Sequence, residues 1–238
     1  MEITPDQIVY WTRGFVVVNA TLVFSWGVMA LLAVSAWLAT RRLFADPRPG
    51  RFQNLLEALV EQIRRQIREA VHEDADRYLP FIGSLFLYIV TCNVLAVVPG
   101  FEPPTASLST TAALAACVFV AVPVYGVIEQ GVSGYLKRYV QPTPLMLPFH
   151  VIGELSRTLA LAVRLFGNVA SGTLIVAILL SVAPFFFPVL MNLLGLLIGV
   201  IQAYVFAVLA LIYIASGART QRQPREPEGE AGRSDREE

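Results

Sequence analysis

Six polar side chains recur along one stretch of an otherwise apolar sequence. In Pro148–Thr173, reading PFHVIGELSRTLALAVRLFGNVASGT, they are His150, Glu154, Arg157, Arg164, Asn168 and Ser171. Wound as a helix at about 100° per residue they fall within a sector of about 120°, so one stripe carries nearly all the polarity. Arg164 is the extreme member. Its neighbours are Leu161, Ala162, Val163, Leu165 and Phe166, and the next charge after it is Arg219. A charge at bilayer depth costs about 2.5–3.5 kcal/mol on insertion scales and by default marks an ion or substrate pathway. The plainer reading is that Arg164 neutralises a carboxylate of its own chain or snorkels to an interface. Glu129 and Glu154 are the partners available in the C-terminal half of the membrane region. Glu154 lies ten residues away, about 15 Å along a helix, and has Arg157 nearer at i+3. Arg164 is therefore expected to meet a carboxylate of another subunit, with water-filled cavities completing its solvation.

A facing surface is available further on, where Asn192, Gly195, Gly199 and Gln202 follow one another at steps of three and four. Small residues at that spacing let helices approach closely, so plain packing is the expected role of the two glycines. Gln202 is different, because an amide deep in an apolar run needs a hydrogen-bond partner. Asn168, Arg164 or a chain of water would answer it.

The elements that must hold these residues are membrane helices. The 238 residues are 55% hydrophobic and 15% charged, where a soluble domain carries roughly 25% charge. The 18 basic and 18 acidic residues cancel, yet only seven charges lie between Tyr78 and Gly217: Glu102, Glu129, Lys137, Arg138, Glu154, Arg157 and Arg164. Runs long enough to span, about 20 residues each, occur near 15–39, 79–101, 106–128, 158–183 and 187–216. The first is too long for a signal peptide and its basic pair, Arg41-Arg42, follows it, so it is expected to stay as an anchor. Eight arginines between Arg41 and Arg77 place that loop in the cytoplasm and the N-terminus, 1–14, outside. Within the loop, Phe52, Leu55, Leu56, Leu59, Val60, Ile63, Ile67 and Val71 recur at three- and four-residue steps. That pattern predicts an amphipathic helix over 51–78 lying on the cytoplasmic surface and covering the bundle. The segment 79–216 is the helical membrane domain. From 217 to 238 almost nothing is apolar, which predicts a disordered cytoplasmic tail. Cys92 and Cys117 both fall in apolar runs and read as packing residues; neither a disulfide framework nor a metal site is indicated.

Arg164-Leu165-Phe166-Gly167-Asn168, with Leu159–Val163 before it and Gln202-Ala203-Tyr204-Val205-Phe206 one span later, resembles subunit a of the membrane (Fo) sector of the rotary F-type ATP synthases. The resemblance covers the membrane part, including the amphipathic segment and the Pro103–Thr105 turn, and stops at the tail. It implies an all-α polytopic membrane protein with five membrane helices and one amphipathic interfacial helix. The last two membrane helices, near 145–183 and 187–216, are then long and tilted around a rotor ring. It implies a stator that forms two offset ion half-channels against a ring of c subunits, each carrying one mid-membrane carboxylate. Flow of H⁺ or Na⁺ turns the ring and drives ATP synthesis, or runs backwards with hydrolysis. The chain itself then carries no nucleotide site and no cofactor. Its implied partners are the c ring, the peripheral stalk subunit b, the other synthase subunits and the lipid bilayer, with no nucleic acid. The implied location is the bacterial plasma (inner) membrane, with the C-terminus in the cytoplasm.

By the same resemblance Arg164 attracts the ring carboxylate, lowers its pKa so that the ion leaves, and separates the half-channels. An opposite charge within about 4–6 Å lowers a carboxylate pKa by 1–3 units, and a guanidinium keeps its own charge throughout. The ion path would comprise Arg164, Asn168, Ser171, Thr173 and Gln202, with His150 and Glu154 either serving the cytoplasmic half-channel or forming a structural pair. Two departures stand out. Many bacterial members have an acid where this chain has Thr173 and a histidine where it has Gly195, and often Asp and Asn where it has Ser107 and Ser109. One half-channel is thus less charged than usual, as in a divergent or alternate branch, and hydroxyls, amides and water must serve it. Two other classes stay in view. A secondary ion-coupled transporter would show broken helices with repeat symmetry, and a membrane enzyme would need a catalytic cluster around His150.

Overall fold

The computed structural model describes residues 9–13, 16–43, 51–71, 75–98, 100–140, 146–182 and 187–218. Strand β1 (Val9–Arg13) pairs antiparallel with β2 (Val16–Asn19). Six helices follow: α1 (Ala20–Leu43), α2 (Arg51–Val71), α3 (Ala75–Leu95), α4 (Leu108–Val140), α5 (Met146–Val182) and α6 (Phe187–Ala218), with a 3-10 turn at Pro104–Ala106 before α4. All but α2 contain an apolar window long enough to cross a membrane. The chain is a helical polytopic membrane protein.

Several expected boundaries move for local reasons. The first helix starts at Ala20, not at residue 15, because Val16, Val17 and Val18 pair with Arg13, Thr12 and Trp11. Stiff β-branched side chains favour that extended conformation. The short hairpin is the one non-helical element of regular structure among the described residues. The span expected to end near 128 continues to Val140, and Gly131, at φ 72° and ψ 163°, interrupts it. That backbone conformation suits a residue without Cβ. Residues 219–238 of the expected tail lie outside the described residues. The first two residues of that tail, Gly217 and Ala218, belong to α6, and the carbonyl of Gly217 accepts a hydrogen bond from Gln130 Nε2 at 3.3 Å.

The core is built on α3, α4 and α6. Tyr78, Ile82, Leu85 and Ile89 of α3 bury against Val118 and Val122 of α4 and Phe206, Ala210, Leu211 and Ile214 of α6. Helix α2 turns Ile63, Ile67 and Val71 onto that core, so it covers the bundle as its periodicity predicts. Arg64 Nε lies 2.7 Å from Asp76 Oδ1, tying α2 to the start of α3. Cys92 is buried, but Cys117 is exposed on α4 and does not serve the packing role expected of it.

Helix α5 packs on α4 and α6 through Leu161, Ala162 and Leu165. The rest of its described side chains are exposed or only half-buried. Only 6% of its apolar window is buried, against 39% for α3 and for α6. A long apolar helix left this open requires a cover of lipid or of another subunit.

Candidate functional site

Arg164 stands midway along α5, on the side that the bundle does not cover, and is exposed. It makes no hydrogen bond or ion pair among the described residues. One of its two possible partners is already taken. Glu129 Oε1 lies 2.9 Å from Arg77 Nη1 and accepts a hydrogen bond from the Tyr78 hydroxyl at 3.2 Å, joining α3 to α4. Further down α5, the Arg157 guanidinium lies 5.6 Å from the centre of the Tyr213 ring, which directs it to α6. His150 is exposed and Glu154 half-buried, and both are engaged in contacts within the chain. They lie fourteen and ten residues from Arg164, so about 21 and 15 Å toward the start of α5.

On the other side of Arg164 the chain encloses a cavity of about 500 Å³ between α3, the Phe101–Ala106 turn, α5 and α6. Asn168, Ser171 and Thr173 line it, so three of the predicted residues come together in one place. Ser171 donates its hydroxyl hydrogen to the Gly167 carbonyl, and Thr173 donates to Ala170 O at 2.9 Å. With their hydrogens engaged on the helix backbone, both hydroxyls keep lone pairs for water or a cation. Gly195 also lines the cavity and has open space where a Cβ would stand, contrary to the packing role expected of it.

Gly199 does pack. A Cβ there would sit 2.9 Å from Asn93 Cγ, and the Asn93 amide donates to the Gly199 carbonyl at 2.9 Å. Three residues on, Gln202 is buried and its Nε2 has no partner among the described residues. Gln202 does not line the cavity; it lies beyond the Asn93–Gly199 contact. Asn93, Glu102 and Asn192 complete the polar lining, and none of them is among the residues picked from the sequence for the ion path. The rule that singles out Gln202, an amide in an apolar run, applies equally to Asn93 in the run from Phe81 to Val98.

The sequence model of the ATP synthase A chain family matches residues 22–215, which hold the whole arrangement. The chain belongs to that family. It is 57% identical to ATP synthase subunit a 2 of Acaryochloris marina, over 97% of this chain and 98% of that one. It is 56% identical to ATP synthase subunit a 1 of Crocosphaera subtropica, over 94% and 97%. To ATP synthase subunit a of Albidiferax ferrireducens it is 54% identical, over 95% and 98%. Similarity of this extent spans every helix from α1 to α6. The A chain family therefore accounts for the complete membrane bundle, not for one motif within it.

Proposed function

We propose that this chain is the stator of an F-type ATP synthase membrane sector, guiding a monovalent cation, H⁺ or Na⁺, past a rotor of c subunits. Family membership supports a non-catalytic Fo component that associates with other synthase subunits. The observation that carries the finer reading is Arg164, a cation without a partner among the described residues on the uncovered apolar face of α5. A mid-membrane carboxylate on a partner ring is the group that would make such a face stable. Passing Arg164, each carboxylate would lose its ion because the guanidinium lowers its pKa by about 1–3 units. The cation cannot leak straight through, since the fixed positive charge repels it.

The two polar groups flanking Arg164 then have separate duties. Asn168, Ser171 and Thr173 connect the ring to the outside through the cavity, with the Gln202 amide buried on α6 as a further polar group of the path. His150 and Glu154 connect it to the cytoplasm. The arginine-rich loop between α1 and α3 supports this orientation, with that loop in the cytoplasm. Family membership supports a bacterial plasma membrane with peripheral stalk subunit b among the partners. A secondary transporter is not favoured, because the conducting surface is left open on α5 for a second protein to complete.

The decisive test uses the purified synthase complex in sealed vesicles. Arg164→Ala should abolish ATP-driven ion uptake while the complex still assembles. Coupled pumping retained by this variant would remove the role given to Arg164. Replacing His150 and Glu154 should give a graded loss of flux, and wild-type rates in the double variant would take both off the path.

A further inference from the structure

The cavity between α3, α5 and α6 is walled by side chains of four separate segments. Asn93 comes from α3, Asn168, Ser171 and Thr173 from α5, Asn192 from α6, and Glu102 from the turn that leads into α4. Glu102 is the only ionisable group among the lining residues. It is half-buried and makes no hydrogen bond or ion pair among the described residues, so none of their cations consumes its charge.

The backbone holding Glu102 is firmly set. Pro103, Pro104, Thr105, Ala106 and Ser107, which follow it, are all buried. Ala106 N–H donates to Pro103 O at 2.9 Å and Ser107 N–H to Pro104 O at 3.1 Å, closing the turn. A carboxylate on so short and packed a turn stays near one place beside the cavity. Asn168 and Gly199 line the same cavity, and the Asn93 amide bridges there to the α6 backbone. Asn168 is four residues from Arg164, about one helical turn or 6 Å along α5. One carboxylate among neutral amides and hydroxyls, with a guanidinium one helical turn from Asn168, makes a lining that attracts and holds a cation.

We propose that Glu102 is the ion-collecting carboxylate of this chain, drawing H⁺ or Na⁺ into the cavity and passing it to the amide and hydroxyl wall. The proposal rests on the stator reading, and concerns which residue supplies the charge to its outer path. Coulombic focusing in a cleft with low-dielectric walls raises the local concentration of a counter-charge by a factor of ten or so at the low end. Glu102 thus governs how much external ion is needed for half-maximal rate, not the rate reached at saturation.

The test is ATP synthesis by the reconstituted complex, with external Na⁺ titrated at fixed pH and external pH titrated at fixed Na⁺. The titration that drives synthesis identifies the ion. Glu102→Gln should raise the half-saturating concentration of that ion about tenfold, with the saturating rate kept within about twofold. Asn192→Asp, placed in the same cavity wall, should restore the lower value when combined with Glu102→Gln. An unchanged half-saturation in Glu102→Gln overturns the proposal. So does a raised value that Asn192→Asp fails to correct, because that outcome makes Glu102 a structural residue of the turn. Arg164→Ala separates the two levels of the reading: if it abolishes flux while Glu102→Gln behaves as wild type, the stator reading stands and the assignment of Glu102 falls.

Discussion

Two arginines of this bundle meet opposite fates. Arg77, at the start of α3, lies 2.9 Å from Glu129 of α4, and the neighbouring Tyr78 donates to the same carboxylate. Arg164, halfway along α5, has no such partner among the described residues. The coverage of the helices explains the difference: α3 is packed on several sides, whereas only 6% of the apolar window of α5 is buried. A charge paired inside the chain fastens two helices together. A charge left on an uncovered apolar face is free to meet a group outside the chain, and that distinction separates the structural Arg77 from Arg164, the residue proposed to act on the ion path.

The sharpest way to break this comparison is to remove each charge in turn and read both flux and stability. Arg164→Ala should abolish coupled ion flux, because the pKa change that releases each ion is lost with the guanidinium. The thermal stability of the purified complex should stay within about 0.5 kcal/mol, because no partner in the chain is orphaned. Glu129→Leu should do the reverse. It strands the Arg77 guanidinium and costs about 1–3 kcal/mol by thermal unfolding, with the ion half-saturation unchanged. Arg77→Met with Glu129→Leu should recover most of that loss, since an apolar pair leaves no unpaired charge.

Smaller effects sharpen the picture of the walls. Gly199→Ala forces Asn93 off its carbonyl and should cost about 1 kcal/mol, seen as a lowered melting midpoint. A midpoint unchanged by the added methyl would mean that Asn93 can swing into the cavity without loss. Arg157→Leu removes the cation from the face of Tyr213 and should cost about 0.5–1 kcal/mol. A double-mutant cycle with Tyr213→Leu should return a coupling of that size.

Much of the fold was legible in the residues. Runs of apolar side chains located five spans, and the three- and four-residue steps of Ile63, Ile67 and Val71 foretold which face of α2 is buried. Helix ends were less legible, because Val16–Val18 are as apolar as the helix that follows and only strand pairing removes them from it. For the candidate site, Arg164, Asn168 and Gln202 were visible as polarity without a local partner. Asn93 is legible by the rule that finds Gln202, an amide in an apolar run, whereas Glu102 is not, since its bearing on α5 arises only from the packing of the turn after α3. The i+3 spacing of Glu154 and Arg157 is legible along one helix, but the 5.6 Å approach of the Arg157 guanidinium to the Tyr213 ring on α6 is not.

The sequence by itself determined that this chain lives in a membrane and that one charge in its core lacks a local counter-ion, because hydrophobic length and charge position are properties of the chain read in order. The tertiary structure alone decided that Glu129 belongs to Arg77, that Gly199 is small for the sake of Asn93, and that Glu102 shares a cavity with Asn168 and Thr173. Those relations join residues tens of positions apart. Only the packing of helices against one another brings them within the few ångströms over which hydrogen bonds and ion pairs act.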